Sequence, residues 1–263
     1  MSKEITVAII EDDLFARNWM ALLLVRDWRT RVVGEYSHCK DFFASLEKGK
    51  AWIDYLIVDV DLYGERLQLA EICQVLRKKT PKTKILLTGI QPDLRVLHQT
   101  QDDQIVGYVL KKEVGYSLSW MVTFLIEGCW ILTPGIQALA NATNFLLPRN
   151  VLVLDGRKTI PGFTDHEAEV ARMAFIFSIG RRDLADELKI SEQWSYGLVS
   201  ELYRKMGLTD IIAGETDLFS YIGESEIIKR KFHEIMGQLG DSKKAKDMET
   251  LAFHLLTMPE IVQ

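Results

Sequence analysis

Four apolar runs in this chain end on side chains suited to metal or phosphate chemistry. Residues 5–10 lead into Glu11 and Asp12, residues 55–58 into Asp59, residues 84–87 into Thr88, and residues 106–110 into Lys111. Taken singly, each has an ordinary role: a carboxylate after a strand shapes a turn or caps a helix, and a lone lysine is solvated. Three carboxylates brought to one edge are different, because like charges repel and raise one another's pKa unless a cation neutralises them. The set points to a hard divalent ion such as Mg²⁺, which accepts a few protein oxygens and keeps several waters. A lysine and a hydroxyl beside that ion suit a phosphoryl group, the ammonium pairing with one oxygen and the hydroxyl donating to another.

The elements that must position these groups are legible around them. The runs do not alternate polar with apolar, as expected of parallel strands covered on both faces. Between them apolar residues recur at helical spacing: Phe15, Trp19, Leu22 and Leu23, then Leu69, Ile72, Cys73 and Leu76. A second strand is predicted over 31–36 and a second helix around Phe42 to Leu46, a weaker fourth helix around Leu94 and Leu97, and a fifth from Leu118 to Ile126. Strands alternating with helices mean right-handed βαβ crossovers. The predicted fold is α/β: a doubly wound, five-stranded parallel sheet whose carboxyl edge collects the reactive set.

The strings Ile-Ile-Glu11-Asp12-Asp13, Leu-Ile-Val-Asp59, Leu-Leu-Thr88-Gly and Gly107-Tyr-Val-Leu-Lys111 stand in an order that resembles the receiver domain of two-component response regulators. The resemblance covers residues 5 to about 135. It implies that Asp59 is the phosphoacceptor, attacking a phosphohistidine on a partner sensor histidine kinase. It implies that Asp12, Asp59 and the main-chain carbonyl of Asp61 hold Mg²⁺, with Glu11 acting through water, and that Lys111 pairs with the phosphoryl group. Thr88 would turn toward that group and Tyr108 would move inward, changing the surface near the fourth helix and fifth strand. The chain departs from the pattern at Tyr63, where the family usually has proline, and at Leu67, where it usually has glycine.

Pro134-Gly135, Pro148 and Pro161-Gly162 punctuate residues 136–162, which read as a linker with a short helix near Ile136 to Phe145 and an isolated strand at 151–154. Thr164 followed by Glu167 is a capping box opening a helix with Val170, Met173, Ala174 and Phe177 on one face, ended by Gly180. A short helix carrying Leu184, Ala185 and Leu188 and a turn at Lys189-Ile190 precede a third helix, capped by Ser191 and stopped by Gly207. Three short helices with a tight turn before the third describe an all-α helix-turn-helix over 163–208. The strings Phe-Thr-Asp-His-Glu, Asp183-Leu-Ala-Asp-Glu-Leu, Ile190-Ser-Glu and Arg204-Lys-Met-Gly resemble the LuxR-type DNA-binding domain of the NarL/FixJ class. The resemblance implies DNA contacts from the positions of Tyr196, Gly197 and Ser200, and the residues present here suggest altered base readout by Gln193, Tyr196 and Ser200 with Arg204 and Lys205 on phosphate. The lysines that members commonly carry where Tyr196 and Ser200 stand are absent, and Trp194 replaces a small hydroxyl residue. Between Phe163 and Leu208 six basic side chains face eight acidic ones, a balance of −2. That balance keeps a second reading open, a helix-turn-helix that binds a protein partner instead of DNA. Residues 209–263 read as a helical extension, with Leu218, Tyr221, Ile222, Ile227, Ile228, Phe232, Ile235 and Met236 and then Met248, Leu251, Leu255 and Leu256 as apolar faces.

At 263 residues, 48% hydrophobic and 26% charged, the chain has room for two domains with real cores. A net charge of −5 argues against a surface that coats polyanions broadly. The three scattered cysteines, Cys39, Cys73 and Cys129, lack metal-ligand spacing and read as core thiols in a reducing compartment. No signal-peptide pattern opens the chain, and the apolar stretch 120–132 is too short to span a bilayer. The expectation is a cytoplasmic, non-enzymatic regulator that works as a homodimer on DNA, without membrane contact.

Overall fold

The computed structural model describes residues 4–49, 52–62, 69–156, 159–160, 162–209, 222, 225–239 and 245–262. Tyr63, Leu67, Leu218 and Tyr221 lie outside the described residues. The chain divides into two units, residues 1–157 with 259–263, and residues 158–258.

The first unit is a sheet of eight strands in the order β2-β1-β3-β4-β5-β6-β7-β8. The expected five are β1 (Ile5–Ile10), β2 (Thr30–Tyr36), β3 (Tyr55–Asp59), β4 (Lys84–Gly89) and β5 (Ile105–Leu110), all parallel. Every residue of β1 and β3 is buried, as their unbroken apolar runs require. Helices α1 (Leu14–Arg26), α2 (Cys39–Glu47), α3 (Leu69–Lys79) and α4 (Leu94–Gln99) alternate with them. Asp13 starts α1 by accepting the Ala16 N–H at 2.8 Å. After β5 come α5 (Lys111–Val114) and α6 (Leu118–Leu125), the latter buried along its whole length.

The five-stranded expectation is corrected on the far side of β5. There β6 (Trp130–Leu132) pairs parallel with β5, and β7 (Val151–Asp155) pairs parallel with β6. The C-terminal β8 (Glu260–Val262) closes the sheet antiparallel to β7. The stretch expected to be a linker therefore carries α7 (Pro134–Ala142) and a sheet strand, β7, that is not isolated. The cause is visible at Gly107, where a Cβ would sit 2.6 Å from the Ile131 carbonyl oxygen. Only a residue without a side chain lets β6 approach there.

The second unit begins with α8 (Asp165–Ala171), capped by Thr164 and Glu167 with both halves of the capping box formed. A π-helical turn, Arg172–Ile176, continues it. Its wider turn rotates the residues that follow, so Phe175 and Ile176 are buried while Phe177, expected on the core face, is 38% exposed. Helix α9 (Arg181–Leu188) ends at Lys189 in the left-handed conformation, φ 55°, and Ser191 caps α10 (Glu192–Lys205). Beyond lie α11 (Glu226–Leu239), with Ile228, Phe232 and Ile235 buried, and α12 (Ala245–Thr257), with Leu251, Ala252 and Phe253 buried. Among the described residues no helix is long and apolar enough to cross a membrane.

Candidate phosphoacceptor and metal site

The carboxyl edge of the sheet brings the predicted groups together. Asp59 ends β3 opposite Thr88 of β4, and both are almost fully buried. Glu11, directly after β1, is 1% exposed. Its main-chain carbonyl accepts a hydrogen bond from an Arg17 guanidinium N–H at 2.5 Å, and its Oε1 accepts the Asp13 N–H at 3.2 Å. Oxygens of Glu11, Asp12 and Asp59 all lie within 4.8 Å of one another. Lys111, the first residue of α5, bridges the two buried acids, with Nζ 2.7 Å from Glu11 Oε2 and 3.1 Å from Asp59 Oδ2.

The electrostatics follow from burial. Loss of water raises the Glu11 carboxyl to about 7, with the nearby Asp59 adding to the rise and Lys111 opposing it. Burial likewise pushes Asp59 above the usual carboxylate range, against the pull of Lys111. The Lys111 ammonium is held above its ordinary value because hydrogen bonds and charge from Glu11 and Asp59 outweigh its desolvation. One lysine thus faces two buried acids, and Asp59 Oδ1 is buried with no hydrogen-bond partner among the described residues. An orphaned carboxylate oxygen beside two further acids fits a hard divalent cation.

The remaining predicted residues sit around this centre in different ways. The carboxylate of Asp61 falls outside the cluster of three and accepts the Ile90 N–H at 2.7 Å. The Thr88 hydroxyl donates to the Val58 carbonyl at the long distance of 3.5 Å. Tyr108 is fully buried, donates its hydroxyl to the Gln91 carbonyl at 3.1 Å, and is pushed up to about 12 by burial. Two residues were not anticipated. Glu113 accepts the Gly135 N–H at 2.9 Å, and Thr133 Oγ1 accepts the Leu110 N–H at 3.0 Å, so both fasten the β5–α5 corner to the segment around α7. Glu113 follows Lys111 by two residues, the one sequence signal that marks it.

In the second unit Gln193, Tyr196, Ser200 and Arg204 are exposed on α10 at spacings that share one helical face. The Ser200 hydroxyl donates to the Tyr196 carbonyl at 2.9 Å. Arg204 pairs with Glu201, its Nε 2.9 Å from Oε2, and Lys205 Nζ lies 2.6 Å from Glu167 Oε1. The Lys205 ammonium, helped by the Thr164 N–H, holds Glu167 down at about 2. Trp194 is 67% exposed.

No protein-family model matches the chain. No curated protein matches it either. Among solved structures it is similar to the two-component response regulator RcsB in complex with DNA, at 17% identity and a TM-score of 0.47, over 88% of this chain and 98% of that one. The isolated REC domain of RcsB from Salmonella enterica serovar Typhimurium, with the phosphomimetic BeF3−, matches at 21% identity and a TM-score of 0.45, over 52% of this chain and 99% of that one. The receiver domain of the putative response regulator NarL from Mycobacterium tuberculosis matches at 17% identity and a TM-score of 0.42, over 48% and 98%.

Proposed function

We propose that this chain is a phosphorylation-switched regulator: Asp59 accepts a phosphoryl group from a phosphohistidine of a sensor kinase, and the helix-turn-helix unit binds DNA in response. The observation that carries the reading is Asp59 at a strand end, with Lys111 at 3.1 Å and the Glu11, Asp12 and Asp59 oxygens within 4.8 Å. In the transfer an Asp59 carboxylate oxygen forms the new P–O bond while the P–N bond of the phosphohistidine breaks, and the electron pair leaves with the imidazole. Lys111 opposes the burial that raises Asp59, so it favours the ionised form that attacks, and it offers its ammonium to a phosphoryl oxygen. Glu11, Asp12 and Asp59 would hold Mg²⁺, which supplies positive charge to the phosphoryl oxygens, and the backbone carbonyl of Asp61 completes the proposed ligand set. Thr88 and Tyr108 are the residues proposed to sense the new charge, Thr88 by turning its weakly held hydroxyl toward it.

On the output side, Gln193, Tyr196 and Ser200 form the proposed base-reading face, with Arg204 and Lys205 at phosphates, in a homodimer on a site of dyad symmetry. A protein-binding output is the second reading, favoured by one observation: Arg204 and Lys205 are each engaged by a carboxylate of the same unit. The test of the acceptor is exposure of the whole chain to a small phosphodonor with Mg²⁺. The expected result is a hydroxylamine-labile phosphoryl label, absent in Asp59→Asn and slowed by about 10²-fold in Lys111→Ala. A label of equal size in Asp59→Asn would overturn the assignment.

A further inference from the structure

Away from the carboxyl edge, the first unit holds a cavity of about 800 Å³ between the end of α2, the face of β2 and the turn that follows α3. That volume lies within the range of small-molecule sites. Val33, Leu46 and Ile53 give it an apolar floor, and Tyr36 and Trp52 add aromatic walls. Trp52 is 53% exposed but fixed: its indole N–H donates to Asp54 Oδ1 at 2.8 Å. Asp54 is itself anchored, its Oδ2 accepting the Thr6 N–H at 2.9 Å and the Thr6 hydroxyl at 2.7 Å. A half-exposed indole held by two linked anchors presents a preorganised flat surface.

The charged side chains that line the cavity, Lys79 and Lys82, have one sign. Lys82 Nζ stands 5.9 Å from the Trp52 ring centroid, over its face. Lys79 at the rim is paired with Glu47, which leaves Lys82 as the cation directed at the aromatic wall. An aromatic wall and a cation above it together define a complementary ligand.

We propose that this cavity is a binding site for a planar aromatic molecule carrying one acidic group, its ring against Trp52 and its acid on Lys82. The site lies on the α2–α3 side, apart from Asp59, and is independent of the phosphoacceptor reading. The test is fluorescence titration of the full chain with 1-anilinonaphthalene-8-sulfonate, alongside the uncharged N-phenyl-1-naphthylamine. Saturable binding of the sulfonate is expected, weakened about tenfold by Lys82→Met, with the uncharged probe affected far less. Trp52→Ala should weaken both probes, and Trp52→Phe should restore most of the affinity. Circular dichroism and the unfolding midpoint show that each variant is folded, and Lys82→Met at the surface carries the test if Trp52→Ala is not. Absence of saturable binding, or sulfonate affinity unchanged in folded Lys82→Met, would overturn the proposal.

Discussion

At the scale of single residues the site is a balance between burial and charge. Glu11 and Asp59 are nearly water-free, and one ammonium faces both. Because Glu11 is raised to about 7, the folded chain binds a proton there more tightly than the unfolded chain does, and Asp59 is shifted the same way. Stability should therefore fall as pH rises from about 4.5 to about 7, since more protons are bound in the folded state across that window. Lys111 does not disturb the sign, because a raised lysine pKa contributes stability that is lost only above its ordinary range. Urea unfolding across the window should show this slope in the metal-free protein and a shallower one in Glu11→Gln; an unchanged slope in the variant would contradict the account. Glu11, Asp12, Asp59, Thr88 and Lys111 were legible because each closes an apolar run. That Lys111 would span Glu11 and Asp59 was not, since it depends on the distance between the ends of β1, β3 and β5, and no spacing within one segment encodes it.

At the scale of elements, β1 to β5 and their helices were readable from unbroken apolar runs and helical periodicity. The sheet beyond β5 was not, because β6 and β8 have three residues each and too few positions to show a period. The π turn in the second unit was equally hidden, since one widened turn shifts the phase without changing composition. The added strands are fastened at the β5–α5 corner, where Gly156 N–H donates to the Glu113 carbonyl at 2.8 Å. A Cβ on Gly156 would lie 1.9 Å from the Val114 carbonyl oxygen, so backbone must move. Gly156→Ala should destabilise the first unit by about 3 kcal/mol. Thr133→Val, which strips the buried Leu110 N–H of its acceptor, should cost about 1–3 kcal/mol. Chemical denaturation measures both, and neutral effects would mean that β6 and β7 are not fastened to β5 as described.

At the scale of the whole molecule, the proposed DNA-binding output turns on charge. The chain carries a net −5, and the two cations near the end of α10 are engaged by Glu201 and Glu167. Releasing one should strengthen phosphate contact. Glu167→Gln keeps a capping-box residue at its position while freeing Lys205, and should tighten nonspecific DNA binding and steepen its salt dependence by about one counterion. Binding that weakens in this variant would favour the protein-partner reading. The helices α8 to α10 were legible from their caps and the turn between α9 and α10, yet the pairing of Lys205 was not, because Glu167 and Lys205 are 38 residues apart in sequence.

The most direct measurement of the whole account is selection from a random DNA pool by the full-length chain, with and without a small phosphodonor and Mg²⁺. Enrichment of a site with dyad symmetry is expected, dependent on the donor and lost in Asp59→Asn. Enrichment indifferent to both the donor and Asp59→Asn would contradict the switch, and absence of enrichment at low salt under every condition would contradict the DNA-reading output.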